Sequence, residues 1–185
     1  RAERTSDAAA MIVPPPVLPG GTIGVVAPGG AVNPDALERG IATLESLGFR
    51  VRVGEHVLAR HRYFAGTPEM RLADLVAMLG APEVGAVVCA RGGYGTAQLL
   101  PLLDRDLVAR PKLVVGYSDV SPLLGWLVEH CGLVAVHGPM VATDFAKGVT
   151  DRAAARFAAL LASAGASWRE PVSDVLVQGI ATGRL

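Results

Sequence analysis

Charge is scarce in this 185-residue chain: 18% of residues are Asp, Glu, Lys or Arg, and 17 basic side chains balance 17 acidic ones. A neutral total supplies none of the positive field that a nucleic acid or an anionic membrane surface requires, so neither is expected as a partner. Cysteine is nearly missing. Cys89 and Cys131 both lie in apolar stretches, read as buried thiols, and cannot build the disulfide framework of a small secreted domain. No uninterrupted apolar run approaches the ~18 residues of a membrane-crossing helix. The first ten residues carry charge without periodicity, precede Met11 and lack the apolar centre of a signal peptide; they read as an upstream extension, and export is not indicated. Also lacking are the H-E-x-x-H and paired C-x-x-C spacings of metal sites, the G-x-G-x-x-G of a dinucleotide site and the G-x-x-x-x-G-K-[ST] of a P-loop.

What is present is apolar: 51% hydrophobic residues, too many for disorder, on a length sufficient for one domain with a full core and a piece of another. A cytoplasmic globular protein is the expectation. After a proline-rich lead, short continuous apolar runs alternate with helical stretches. Strands are predicted over residues 22–27, 50–53, 84–89, 112–115 and 133–136. Helices are predicted over 34–47 (Asn33 as N-cap, Pro34 at its first position, Gly48 beyond its end), 67–80, from the Arg91–Thr96 loop through Leu103, 120–130 and 151–162. In the second of these, Leu72, Leu75, Val76 and Leu79 share a face. Continuous rather than alternating strands mean that both sheet faces are covered. The fold class is therefore α/β, a doubly wound, mainly parallel sheet of Rossmann or flavodoxin type with helices on both faces. Domain bounds are set at 1–18 for the lead, 19–165 for the α/β domain and 166–185 for a linker and truncated entry into a second domain, where 175–177 and Ile180 resemble unpaired strand material.

Ligands of such a sheet bind off the carboxyl ends of its strands, so the loops there carry the functional signal. Pro28-Gly29-Gly30, after the first strand, reads as a chain-turning loop. Arg91-Gly92-Gly93-Tyr94-Gly95-Thr96, after the third, offers several backbone N–H groups at a helix start, suited to a phosphate, a carboxylate or a developing oxyanion; a tight turn is the plain alternative. Val114-Val115-Gly116-Tyr117-Ser118-Asp119 sets a serine between strand and helix, where Oγ projects at the sheet edge and the next N–H can serve an oxyanion hole. Val120 stands where the hydrolase elbow G-x-S-x-G has its second glycine, and Ser118 or Asp119 could instead cap the helix. Of the four histidines, His56 and His61 flank an arginine-rich loop, His130 ends a helix, and His137, ending the fifth strand with Asp144 nearby, is the one candidate base. A glutamine-amidotransferase-like hydrolase would place cysteine at the elbow. A non-catalytic anion-binding module remains open on these residues.

In order along the chain, GGTIGVVAPGG, FAGTPEMRLADL, VVCARGGYGT, KLVVGYSDVSPLL, VAVHGPM and the closing QGIATGRL resemble the LD-carboxypeptidase family, serine peptidases of family S66 that include murein tetrapeptide carboxypeptidases and microcin C immunity peptidases. The resemblance covers residues 19–185. It implies a serine hydrolase that removes a terminal amino acid across an L,D bond of a small peptide, with no metal or cofactor, in a homodimer. It assigns Ser118 as nucleophile. The N–H of Asp119, with that of Gly93 (Gly92 second), forms the oxyanion hole, and Arg91, Tyr94 and Tyr117 contact substrate. It assigns the base and its glutamate partner to a C-terminal domain, which lowers His137 and leads to the expectation that these 185 residues alone turn over negligibly.

Overall fold

The computed structural model describes residues 11–107 and 110–163. The upstream extension and the strand-like material at 175–177 and Ile180 lie outside the described residues. Five strands form one parallel sheet: β1 (Thr22–Val26), β2 (Arg50–Val53), β3 (Val84–Cys89), β4 (Leu113–Gly116) and β5 (Ala135–His137), in the order β2-β1-β3-β4-β5. Between them run α1 (Pro34–Ser46), α2 (Pro68–Gly80) and α3 (Ser121–Cys131), with α4 (Asp151–Ala162) after β5. The strand order reverses between β1 and β3, and the loops leaving those two strands meet at the sheet edge, where Gly30 N donates to the Gly92 carbonyl.

The two core clusters follow from strand alternation. Ile23, Val25, Ala86, Val88 and Val115 face Leu37 and Leu44 of α1 and Phe157 and Leu161 of α4. Val87, Cys89 and Val114 face Leu75, Met78 and Leu79 of α2 and Leu123 and Leu127 of α3. Because β1, β3 and β4 bury both faces, their apolar runs are unbroken; β2, an edge strand, keeps Arg50 and Arg52 in solvent, with Arg52 paired to Glu83.

The helix starts obey local chemistry. Asn33 Oδ1 accepts the Ala36 N–H at 2.9 Å with Pro34 behind it, and Thr67 Oγ1 accepts from Met70 N at 3.4 Å with Pro68 behind it. Beyond α1, Gly48 takes a left-handed φ of +88°. Residues 11–18 do not hang free. Ile12 bridges Leu133, Val17 donates to the Leu161 carbonyl, and the Val17 side chain fills the space beside Gly85.

Four expectations need correction. No α-helix follows the Arg91–Thr96 loop: residues there form two 3-10 turns, Thr96–Gln98 and Leu100–Leu102, because Pro101 has no N–H to continue a ladder. The fifth strand starts two residues late, at Ala135, because Leu133 N closes the end of α3 by donating to the Leu127 carbonyl past left-handed Gly132. The helix predicted over 120–130 is preceded by a 3-10 turn, Ser118–Val120. On α2 the fully buried face is Arg71, Asp74, Leu75, Met78 and Leu79, whereas Leu72 and Val76 are half-buried.

Candidate active site

Leaving β4, Tyr117 is extended (φ −156°) and Ser118 then flips to φ +61°. Only one other non-glycine described residue, Arg62, has positive φ. A serine there costs on the order of 1–3 kcal/mol and persists only where its surroundings impose it. Gly116 makes the turn possible, since a Cβ at that position would stand 2.8 Å from Val120 Cγ1. Val120 itself is fully buried above Gly116. It fills the place of the missing elbow glycine, so the departure from G-x-S-x-G is a packing substitution. Ser118 is left exposed at the sheet edge.

The capping alternative has no support in the geometry. Neither the 3-10 turn nor α3 has a side-chain cap. The Asp119 carboxylate reaches across to the loop after β3, where Oδ2 accepts from Thr96 N at 3.0 Å and from Thr96 Oγ1 at 2.9 Å. Gly92 backs onto the serine: a Cβ there would lie 3.2 Å from Ser118 Cβ, 3.3 Å from the Tyr117 carbonyl oxygen and 3.4 Å from Asp119 N. The Gly92 carbonyl accepts from Gly30 N at 3.0 Å, which carries the loop after β1 into the same cluster. Gly93, at φ +108°, lies against Gly30, where its Cβ would come within 3.1 Å of Gly30 Cα.

The flanking residues divide between two sides. Arg91 donates through Nη1 to the Ala31 carbonyl at 3.0 Å and so lies along the loop after β1. Tyr94 is 68% exposed, its ring 6.2 Å from that of Phe64. Tyr117 points the other way. Its Oη meets Asp144 Oδ1 at 3.3 Å, its ring lies 5.7 Å from that of His137, and desolvation with the Asp144 charge pushes its phenol up from the ordinary value. From Tyr117 a groove of about 1060 Å³ runs past His137, Asp144 and Lys147 along α4. Ser118 stands outside that groove.

Among the described residues no histidine hydrogen-bonds Ser118. His137 is exposed and pairs in register with Gly116, one strand away. His56 Nδ1 is held by Asp74 Oδ1 at 2.9 Å, and His130 stacks on Trp126. No three His, Cys, Asp or Glu side chains gather as a metal site among the described residues. Cys89 is buried at the end of β3, its thiol pushed up to about 12 by desolvation, and Cys131 is half-buried.

One participant escaped sequence reasoning. Arg71, 1% exposed on α2, donates through Nη1 to the carbonyls of Pro28 (2.6 Å) and Gly95 (2.9 Å) and through Nη2 to Gln98 Oε1 (2.7 Å), beneath the Phe64 ring at 5.2 Å. Its i, i+3, i+4, i+7 spacing with Asp74, Leu75 and Met78 was the available signal.

Fold and turn together define a doubly wound α/β protein with a strained serine elbow at the carboxyl edge of its parallel sheet. The family model for the LD-carboxypeptidase N-terminal domain, peptidase S66, matches residues 23–138, and the chain belongs to that family. Over 122 residues the chain is 46% identical to the murein tetrapeptide carboxypeptidase of Pseudomonas aeruginosa, covering 65% of this chain and 39% of that protein. Over 126 residues it is 41% identical to a probable murein peptide carboxypeptidase of Bacillus subtilis, covering 68% and 40%. Among solved structures, microcin C7 self-immunity protein MccF superposes with a TM-score of 0.80 at 25% identity over 86% of this chain and 50% of its own. The muramoyltetrapeptide carboxypeptidase of Oxalobacter formigenes gives 0.68 at 36% identity, over 74% and 46%. The chain thus spans about 40% of the length of the two curated relatives named.

Proposed function

We propose that this chain is the nucleophile-bearing part of a cytoplasmic serine LD-carboxypeptidase that releases the C-terminal amino acid of a murein tetrapeptide. The observation that carries this reading is Ser118 held at φ +61° and exposed between β4 and α3, with Asp119 N and Gly92 packed directly behind it. Ser118 Oγ attacks the scissile carbonyl carbon as its proton passes to a general base. The carbonyl oxygen, now an oxyanion, accepts from the N–H of Asp119 and of Gly93, with Gly92 as the second candidate donor. The intermediate collapses, the leaving amine takes the proton from the base, and water then repeats the sequence on the acyl-enzyme. Arg91, Tyr94 and Tyr117 flank the serine on either side and contact the peptide. Every step draws on side chains, backbone donors and water. The base is a histidine oriented by a glutamate on a C-terminal domain, in a protein that assembles as a homodimer. His137 is not that base.

Murein peptide is preferred over a microcin-type conjugate as substrate because the murein-peptide relatives reach 46% and 41% identity, against 30% for the Escherichia coli microcin C7 self-immunity protein. The test is release of terminal D-alanine from a murein tetrapeptide by the full-length protein, with a serine-directed fluorophosphonate as probe. Turnover and labelling are both expected to vanish in Ser118→Ala. Retention of either by that variant would refute the assignment.

A further inference from the structure

We propose that Arg71 is a positioning residue of this active site: its guanidinium locks the loops after β1 and β3 so that the backbone donors beside Ser118 converge. The inference rests on the serine-hydrolase reading above and deepens it.

The connectivity is direct. Nη1 donates to Gly95 O, and the next residue, Thr96, presents both its N–H and its Oγ1 to Asp119 Oδ2. Asp119 in turn supplies one oxyanion N–H. Nη1 also donates to Pro28 O, and the two residues that follow touch the same cluster. A Cβ on Gly29 would stand 2.4 Å from Asp119 Oδ2, and Gly30 N donates to the Gly92 carbonyl. Nη2 holds Gln98, and the face of the guanidinium lies under Phe64, whose backbone bridges Gly30. One cation therefore touches three loops: Thr96 and Gly29 carry two of them to Asp119, and Phe64 joins the third at Gly30, which donates to the Gly92 carbonyl.

Stability alone is a poor reason for such a residue. Burying a guanidinium costs several kcal/mol before its bonds repay it. Here Nε is buried with no hydrogen-bond partner, a further unrecovered cost. Desolvation lowers the Arg71 pKa, and the Asp119 charge opposes that shift. The planar fork serves the two carbonyls from Nη1 and the Gln98 amide oxygen from Nη2. Lysine's three donors sit on a single nitrogen and cannot reproduce the spacing of Nη1 and Nη2.

Full-length wild type, Arg71→Ala, Arg71→Lys, Thr96→Val and Ser118→Ala decide the matter, read as kcat and KM for D-alanine release together with thermal midpoints. Loss of aligned oxyanion donors predicts kcat lower by about 10²-fold in Arg71→Ala, with KM changed by less than about threefold. Millimolar guanidinium should restore kcat about tenfold by refilling the vacated site. Arg71→Lys should keep the charge and still lose most of the rate. A folded Arg71→Ala with wild-type kcat, a loss confined to KM, or no response to guanidinium overturns the proposal. If Arg71→Ala does not fold, Thr96→Val decides. It removes one of the two bonds from Thr96 to Asp119, and kcat should fall about tenfold at unchanged KM, while an unaltered kcat overturns the proposal. Activity surviving in Ser118→Ala, or lacking in wild type, overturns the serine reading and this one with it. Normal kcat at position 71 beside a dead Ser118→Ala overturns the Arg71 role alone.

Discussion

Asp119 grips Thr96 with one oxygen: Oδ2 accepts the backbone N–H at 3.0 Å and the hydroxyl at 2.9 Å, tying the turn after β4 to the loop after β3. Thr96 is fully buried, so both donors depend on that oxygen. Asp119→Ala should leave them unsatisfied and cost about 1–3 kcal/mol, read as a lower urea midpoint. Activity should fall as well, because the backbone N–H that the side chain holds in place loses its fixed direction. A variant as stable as wild type would show that the loops converge without this bond.

Gly92 and Gly125 give opposite outcomes for one substitution. A methyl at Gly92 meets Ser118 Cβ at 3.2 Å and Asp119 N at 3.4 Å, whereas one at Gly125, on the exposed side of α3, meets nothing within 4 Å. Gly92→Ala should lower kcat in the full-length protein while the circular dichroism stays native. Gly125→Ala should raise stability by about 0.5–1 kcal/mol through helix propensity, without kinetic effect.

His137→Ala should keep most of the wild-type kcat in the full-length protein. The ring is exposed, lies tilted against Tyr117 and makes no hydrogen bond to Ser118. A drop of 10²-fold or more, the scale of general-base loss, would assign the base to this chain after all.

Tyr117 should ionise late. Desolvation and the Asp144 carboxylate both disfavour the phenolate, so its pKa lies above the unfolded value of 10.0. Above pH 10 the native state therefore binds the proton that the unfolded state releases, and stability falls as pH rises through the raised pKa. Absorbance at 295 nm, with Tyr117→Phe identifying the component, should show the midpoint moving down in Asp144→Asn. An unmoved midpoint would mean that desolvation alone sets it.

The sequence disclosed what is local. Continuous apolar strands announced a sheet covered on both sides, Asn33 and Thr67 marked helix starts, and Gly116-Tyr117-Ser118-Asp119 marked the elbow. What stayed hidden depended on contacts distant in sequence. Nothing local marked the contacts of Arg71, because its carbonyl partners lie 43 and 24 residues away. The Asp119 carboxylate resembled a cap because nothing nearby in sequence points to Thr96, 23 positions earlier. The helix expected through Leu103 fails at Pro101, which holds the segment to 3-10 turns.

The left-handed backbone at Ser118 sets the protein's robustness against its chemistry. Glycine occupies φ near +61° without steric cost, so Ser118→Gly should relieve roughly 1 kcal/mol of strain and melt later than wild type while hydrolysing nothing. Lineages of this fold released from the need to cut peptides, or laboratory libraries sorted by heat resistance alone, should therefore lose this serine early and gain durability as they do so.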